Sequence, residues 1–188
     1  MSHDLTSVKV AALVADGFQR DQVLDVQEFL HRSGATLTLV LAGAESLSET
    51  GRAGERLGSV PLESADEAGF DALFLPAGQA GVDTLSQNPA AIELVRSFLT
   101  ASKPVGALGQ GVKLLLTANG VAGRRISADA TLKNVIEKAG GIWANQSVAT
   151  DRYLVTASDS RLIDSFCQAF AGICFEHRAS SGASLHTD

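Results

Sequence analysis

The run KPVGALGQGVKLLLTANG, residues 103–120, sets three glycines, Gly106, Gly109 and Gly111, between a short apolar strand and an apolar helix. A strand-to-helix corner of this kind supports two chemistries. It can lift a nucleophile clear of the sheet and aim it at the helix N-terminus, or it can cradle a phosphate on the helix amides. The corner reads Gly109-Gln110-Gly111, with no hydroxyl or thiol. The spacing argues against a dinucleotide loop, being G-x-x-G-x-G rather than G-x-G-x-x-G. It lies outside the first βα unit, whose own turn, ADGFQRD, has one glycine. Tight strand-to-helix packing explains the same glycines without a ligand.

The other reactive residue types are scattered. Cys167 and Cys174 stand seven positions apart on one face of a helical pattern, too far for a mutual disulfide, and read as core residues. His3 and His186 fall in the termini, and His31 and His177 late in helical segments, where the helix dipole favours a cation. None has a neighbour at metal-ligand spacing, so neither a metal nor a cofactor is expected. No serine stands in a G-x-S-x-G elbow, although the members of a Ser-His-Asp triad need not be adjacent in sequence. Asp16, Asp21 and Asp129, near strand ends, could line a cleft or simply cap turns.

The elements that must position these residues alternate. VKVAALVA (8–15) is a continuously apolar strand, DQVLDVQEFLHRSG carries Val23, Val26, Phe29 and Leu30 at helical spacing, and ATLTLVLA returns to a strand. This opening predicts a parallel pair in an α/β fold. Residues 45–62 read as a polar loop with a possible β-ribbon. FDALFLPAG (70–78) is a third buried strand, and the stretch after it is helical with Pro89 at a helix start. PVGALG and GVKLLLTANG follow as strand and helix. TLKNVIEKAGG reads as a helix, IWANQSVAT and RYLVTAS as two strands, and SRLIDSFCQAFAGICFEHR as an amphipathic helix. The domain is expected over residues 8–178, with an extension at 1–7 and a disordered tail at 179–188.

Composition fits one globular domain. Of 188 residues, 45% are hydrophobic and 19% charged, enough to build a core and to exclude general disorder. A net charge of −6 without a basic stripe argues against nucleic acid. No apolar run reaches the roughly 20 residues of a membrane span, and MSHDLTSVKV is not a signal peptide, so a cytoplasmic protein is expected.

The order of KVAALVADGFQRDQVLDVQEFLHRSGATLTLV, FDALFLPAGQAGVDTLSQNPAAIELVRSFLTASKPVGALGQGVKLLLTANGVAGRRIS and AGGIWANQSVATDRYLVTAS resembles the ThiJ/PfpI superfamily over roughly residues 8–176. The resemblance implies a three-layer α/β/α flavodoxin-like sandwich with a mostly parallel sheet, of the class I glutamine amidotransferase type and often dimeric. Members include peptidases, glyoxalases, deglycase-type enzymes and chaperones. Their elbow reads A-[IL]-C-H-G, its cysteine is the nucleophile, and a P-G-G loop helps to form an oxyanion pocket. ALGQG puts Gly109 at the cysteine position and Gln110 at the histidine position, and LPAG keeps Gly78 but carries Ala77. The acidic residue that normally lowers the cysteine pKa, five positions after the first-loop glycine, is Gln22 counting from Gly17. Asp129 stands where some branches have a further histidine.

A thiolate needs a sulfur, a polarising environment and a proton partner, and the matching positions lack all three. KVAALVADGF and the closing FEHR look like the C-terminal domain of large-subunit catalases, which also lacks the nucleophile. The resemblance therefore implies a catalytically silent stability, assembly or chaperone-like module. Its degenerate pocket would be lined by Gln22, Gly78, Gly109, Gln110 and Asp129 and able to hold a small polar or anionic ligand. A homodimer, a protein client and a catalase core are the expected partners. The alternative is a glyoxalase, deglycase or peptidase that uses a non-cysteine mechanism.

Overall fold

The structure, a computed structural model, describes residues 4–43 and 57–183. The Val- and Ala-rich run forms β1, Lys9–Val14, buried at every position after Lys9. It pairs in parallel with β2, Thr36–Leu41, through the crossover helix α1, Arg20–Arg32. β3, Gly58–Pro61, continues the parallel set on β2. The chain then crosses to the other side of β1 with β4, Ala72–Leu75, followed by β5, Val105–Leu108. β9, Leu154–Ala157, adds in parallel to β5, and β8, Val148–Asp151, closes the edge antiparallel to β9. The sheet order is β3-β2-β1-β4-β5-β9-β8, with β4, β5 and β9 buried throughout, as expected for strands covered on both faces.

One face is covered by α1 and α6, Ile163–Ala183. The other is covered by α2, Gln79–Ser86, α3, Pro89–Thr100, and α4, Val112–Thr117. The expected three-layer α/β/α sandwich is thus the observed one. Gly106 of β5 has a packing reason: a Cβ there would lie 2.7 Å from Phe166 Cζ and 2.9 Å from Phe170 Cδ2. The two rings stack at 5.7 Å and meet Phe74 at 5.7 and 6.5 Å, so the glycine lets an aromatic cluster settle onto the strand.

Several boundaries differ from the sequence expectation. The helical stretch after β4 is two helices, because the Asn88 side chain accepts from the N–H groups of Ala90 and Ala91 and starts α3 with Pro89 at its first position. IWANQSVAT divides between β8 and a strand of a separate parallel pair, β6, Arg125–Ile126, and β7, Ile142–Trp143, connected through α5, Lys133–Lys138. The terminal extension is part of the fold from Asp4 onward. Leu5 is fully buried and its N–H donates to the Ser33 carbonyl. The tail expected from residue 179 is helical through Ala183. The Ser180 and Ser181 hydroxyls donate to the Glu176 and His177 carbonyls, and Arg178 donates to the carbonyls of Asp4 and Thr6. His177 therefore sits within α6 rather than at its end. Residues 184–188, His3, and 45–56 of the expected loop lie outside the described residues.

Candidate functional site

The corner after β5 turns sharply on a left-handed glycine. Gly109 has φ +50°, in the left-handed region that costs an ordinary residue roughly 1–2 kcal/mol, and a short 3-10 turn, Gly109–Gly111, carries the chain into α4. A Cβ on Gly109 would meet only the Ala77 Cβ, at 3.4 Å. A Cβ on Gly111 would lie 2.3 Å from the Leu75 carbonyl oxygen. Gly111 is thus demanded by close packing, whereas Gly109 adopts a left-handed conformation that glycine tolerates and its Cβ position is only lightly contacted.

The positions facing this corner come from the loops after β1 and β4. Gln22, only 6% exposed, turns its side chain to the second loop, where the Ala77 N–H donates to its Oε1 at 3.0 Å. The Gln19 N–H donates to the Ala77 carbonyl at 2.8 Å. Gly78, at φ +130°, lets the loops touch, since a Cβ there would lie 2.4 Å from the Gly17 carbonyl oxygen. Gln22, Gly78 and Gly109 are thus gathered around Ala77, with the partly exposed Gln110 next in the chain. The Gln22 carboxamide cannot act as a proton partner in the way a carboxyl group does, and its oxygen already binds a loop amide.

Asp129 is not gathered with them: it lines a separate cleft whose walls include none of Gln22, Gly78, Gly109 and Gln110. Its Oδ1 accepts from the Thr131 N–H and hydroxyl, at 2.9 and 2.6 Å. The Thr131 hydroxyl and then its amide hold the Asp129 carboxyl below its ordinary pKa, against burial and the charge of Asp159. The cleft, about 400 Å³, is also lined by Trp143, Asn145, Gln146, Ser158 and Asp159. Buried polar bonds fix its walls. Thr156 of β9 is fully buried and accepts from the Ser127 N–H at 2.9 Å, and the Ser127 hydroxyl lies 2.7 Å from the Gln146 carbonyl and 3.0 Å from that of Ser147. Ser158 and Asp159 directly follow β9, whose Ala157 pairs with Leu108, the residue before the elbow. Trp143, Asn145, Gln146 and Asp159 were not among the expected site residues. The polar Asn145-Gln146-Ser147 interruption in a supposed strand is the signal that could have found them. Asp16 and Asp21 are exposed.

A larger cleft, about 590 Å³, lies at the opposite, amino end of the strands and contains Cys174, His177, Asp71 and Arg178. It is not a thiolate site. Burial first, then the charge of Asp71, pushes the Cys174 thiol far up, while burial and Lys103 lower the His177 pKa. Both groups are held neutral near pH 7. Burial, with smaller contributions from Asp164 and Asp25, pushes the Cys167 thiol up to about 12. Both cysteines lie on the face of the sheet away from α4. Among the described residues no three His, Cys, Asp or Glu side chains cluster to hold a metal ion, and no helix is long and apolar enough to cross a membrane.

The sequence and the fold are similar to those of known proteins. The chain is 30% identical over 156 residues to protein/nucleic acid deglycase 2 of Escherichia coli strain K12, covering 80% of this chain and 88% of that protein. It is 26% identical over 174 residues to catalase HPII of Mycobacterium avium, which takes in 93% of this chain and 22% of that catalase. The fold superposes on Schizosaccharomyces pombe DJ-1 with a TM-score of 0.74 at 19% identity, covering 96% of this chain and 100% of that one. The model of the DJ-1/PfpI family matches residues 8–172, and with the flavodoxin-like sheet it makes this chain a member of the DJ-1/PfpI family.

Proposed function

We propose that this DJ-1/PfpI chain is silent in the cysteine chemistry of its family and serves in the cytoplasm as a stability, assembly or chaperone-like module. The observation that carries the proposal is Gly109. The corner has a left-handed backbone at Gly109, no sulfur stands there, and the chain's two thiols are buried, protonated and on the other face. Similarity to a catalase over nearly the whole chain supports a role beside a larger protein, either a catalase core or another client. Homodimerisation belongs to the same proposal and is checked by sedimentation. The test of the module is suppression of thermal aggregation of a catalase core and of an unrelated client enzyme. Protection at near-stoichiometric ratios supports the proposal, and no protection of either refutes the module role.

A second reading is turnover without cysteine. It is favoured by the ionised Asp129 in a polar cleft and by similarity to a named deglycase. Asp129 would then act as a base on an oriented water. Methylglyoxal consumption lost in Asp129→Ala or Gln110→Ala establishes that reading in place of the silent one.

A further inference from the structure

In an open α/β sheet, ligands lodge outside the carboxyl ends of the strands, at the point where the strand order reverses. Here the reversal lies between β1 and β4. That crevice is filled by the chain itself. Gly17 and Gly78 let the two loops pack backbone to backbone, Gln19 bonds Ala77, and the Gln22 side chain occupies the remaining amide. On the same edge of the sheet, open space lies beyond β9, in the cleft that contains Asp129.

The chemistry of that cleft selects its ligand. Asn145 and Gln146 are exposed on its wall and each offers both a donor and an acceptor, which is what a hydroxyl group requires. Asp129 presents a carboxylate whose Oδ1 is fixed by Thr131, so its second oxygen is oriented at little entropic cost. The guanidinium closest in sequence to the lining, that of Arg161, is held by Asp159 through Nε at 2.9 Å and Nη2 at 2.6 Å. An anion therefore gains no open cation from it, and of the cleft's two carboxylates Asp159 is already paired, leaving Asp129 to a ligand. Trp143 lines the same cleft, partly buried and packed against the hydrophobic core. We propose that this cleft binds a neutral polyhydroxylated ligand, a sugar or sugar alcohol, held by Asp129, Asn145 and Gln146 beside Trp143. The proposal rests on the functional reading above only in taking Asp129 as a binding group rather than a catalytic base.

Trp143 is the only tryptophan in the chain, so its fluorescence reports occupancy directly. The full chain is titrated with D-glucose, D-ribose and mannitol, with putrescine and tetramethylammonium, and with inorganic phosphate and pyruvate. A saturable change with at least one of the neutral compounds is expected, and Asp129→Asn should weaken it about tenfold, the effect of removing one charged hydrogen bond. Asparagine still caps the turn, which keeps that variant folded. Asn145→Ala, at an exposed position, should weaken binding several-fold, and Glu28→Gln on α1 should change nothing. Saturation only by the ammonium or anionic compounds overturns the proposal. So does a flat response to every neutral compound, or binding indifferent to both cleft variants. Methylglyoxal turnover would end the silent reading and leave the sugar titration standing, whereas a flat titration would end the sugar ligand and leave silence standing.

Discussion

Placing a cysteine at Gly109 introduces a sulfur at the proposed nucleophile position, and the local backbone sets both its cost and its reactivity. The left-handed φ of +50° costs a side-chain-bearing residue roughly 1–2 kcal/mol. The freedom that glycine loses on folding, worth about 0.5–1 kcal/mol, offsets part of this. The added Cβ meets only Ala77, at a distance one small shift relieves. The net destabilisation of Gly109→Cys should be about 1 kcal/mol, a fall in Tm of about 2–4 °C for a chain of this size. The new thiol starts from an ordinary pKa near 8.5. The amides at the start of the following helix contribute at most about 1 kcal/mol, less than one pH unit. Gln22 offers no carboxyl group, so alkylation of the native variant should titrate with a midpoint close to 8. Wild-type protein supplies the blank, because Cys167 and Cys174 are buried and protonated. A midpoint well below 7 would show that another group activates the elbow. A Tm loss above about 10 °C would show that the space beside Gly109 does not admit a side chain.

The same packing fixes other outcomes. Gly111→Ala drives a Cβ into the Leu75 carbonyl, and Gly106→Ala drives one into two core rings. Each should cost about 1–3 kcal/mol by denaturant unfolding, with Gly111→Ala at the upper end or beyond. Thr156→Val leaves the buried Ser127 N–H without an acceptor and should cost about 1–3 kcal/mol while loosening the wall of the Asp129 cleft. The two buried thiols have pKa values raised above the ordinary value near 8.5, so their contribution to stability is complete below about pH 8.5 and is lost as pH rises. Each adds up to ~1.4 kcal/mol per pH unit to the alkaline decline, and the decline should flatten in a Cys167→Ala, Cys174→Ala double variant.

The sheet is legible in the sequence because β1, β4 and β5 are buried on both faces and read as unbroken apolar runs. The elbow is legible because Gly109 and Gln110 stand at a strand-to-helix junction. The gathering of Gln22 around Ala77 follows from spacing within two loops that the sheet brings side by side. The Asp129 cleft is less legible. Asn145, Gln146 and Ser147 form a turn between strands of two different sheets, and that division is set by tertiary pairing rather than by local pattern. The end of α6 is hidden because Ala179, Ser180 and Ser181 look like a polar tail. They remain helical through hydroxyl bonds to the preceding turn, while the neighbouring Arg178 clamps the helix to residues 4–6.

The proposed catalytic silence is tested most directly by the consumption of methylglyoxal by purified wild-type chain. Consumption at the rate of buffer containing heat-denatured protein is the predicted result. Catalysed turnover, abolished in Asp129→Ala or Gln110→Ala, would contradict it.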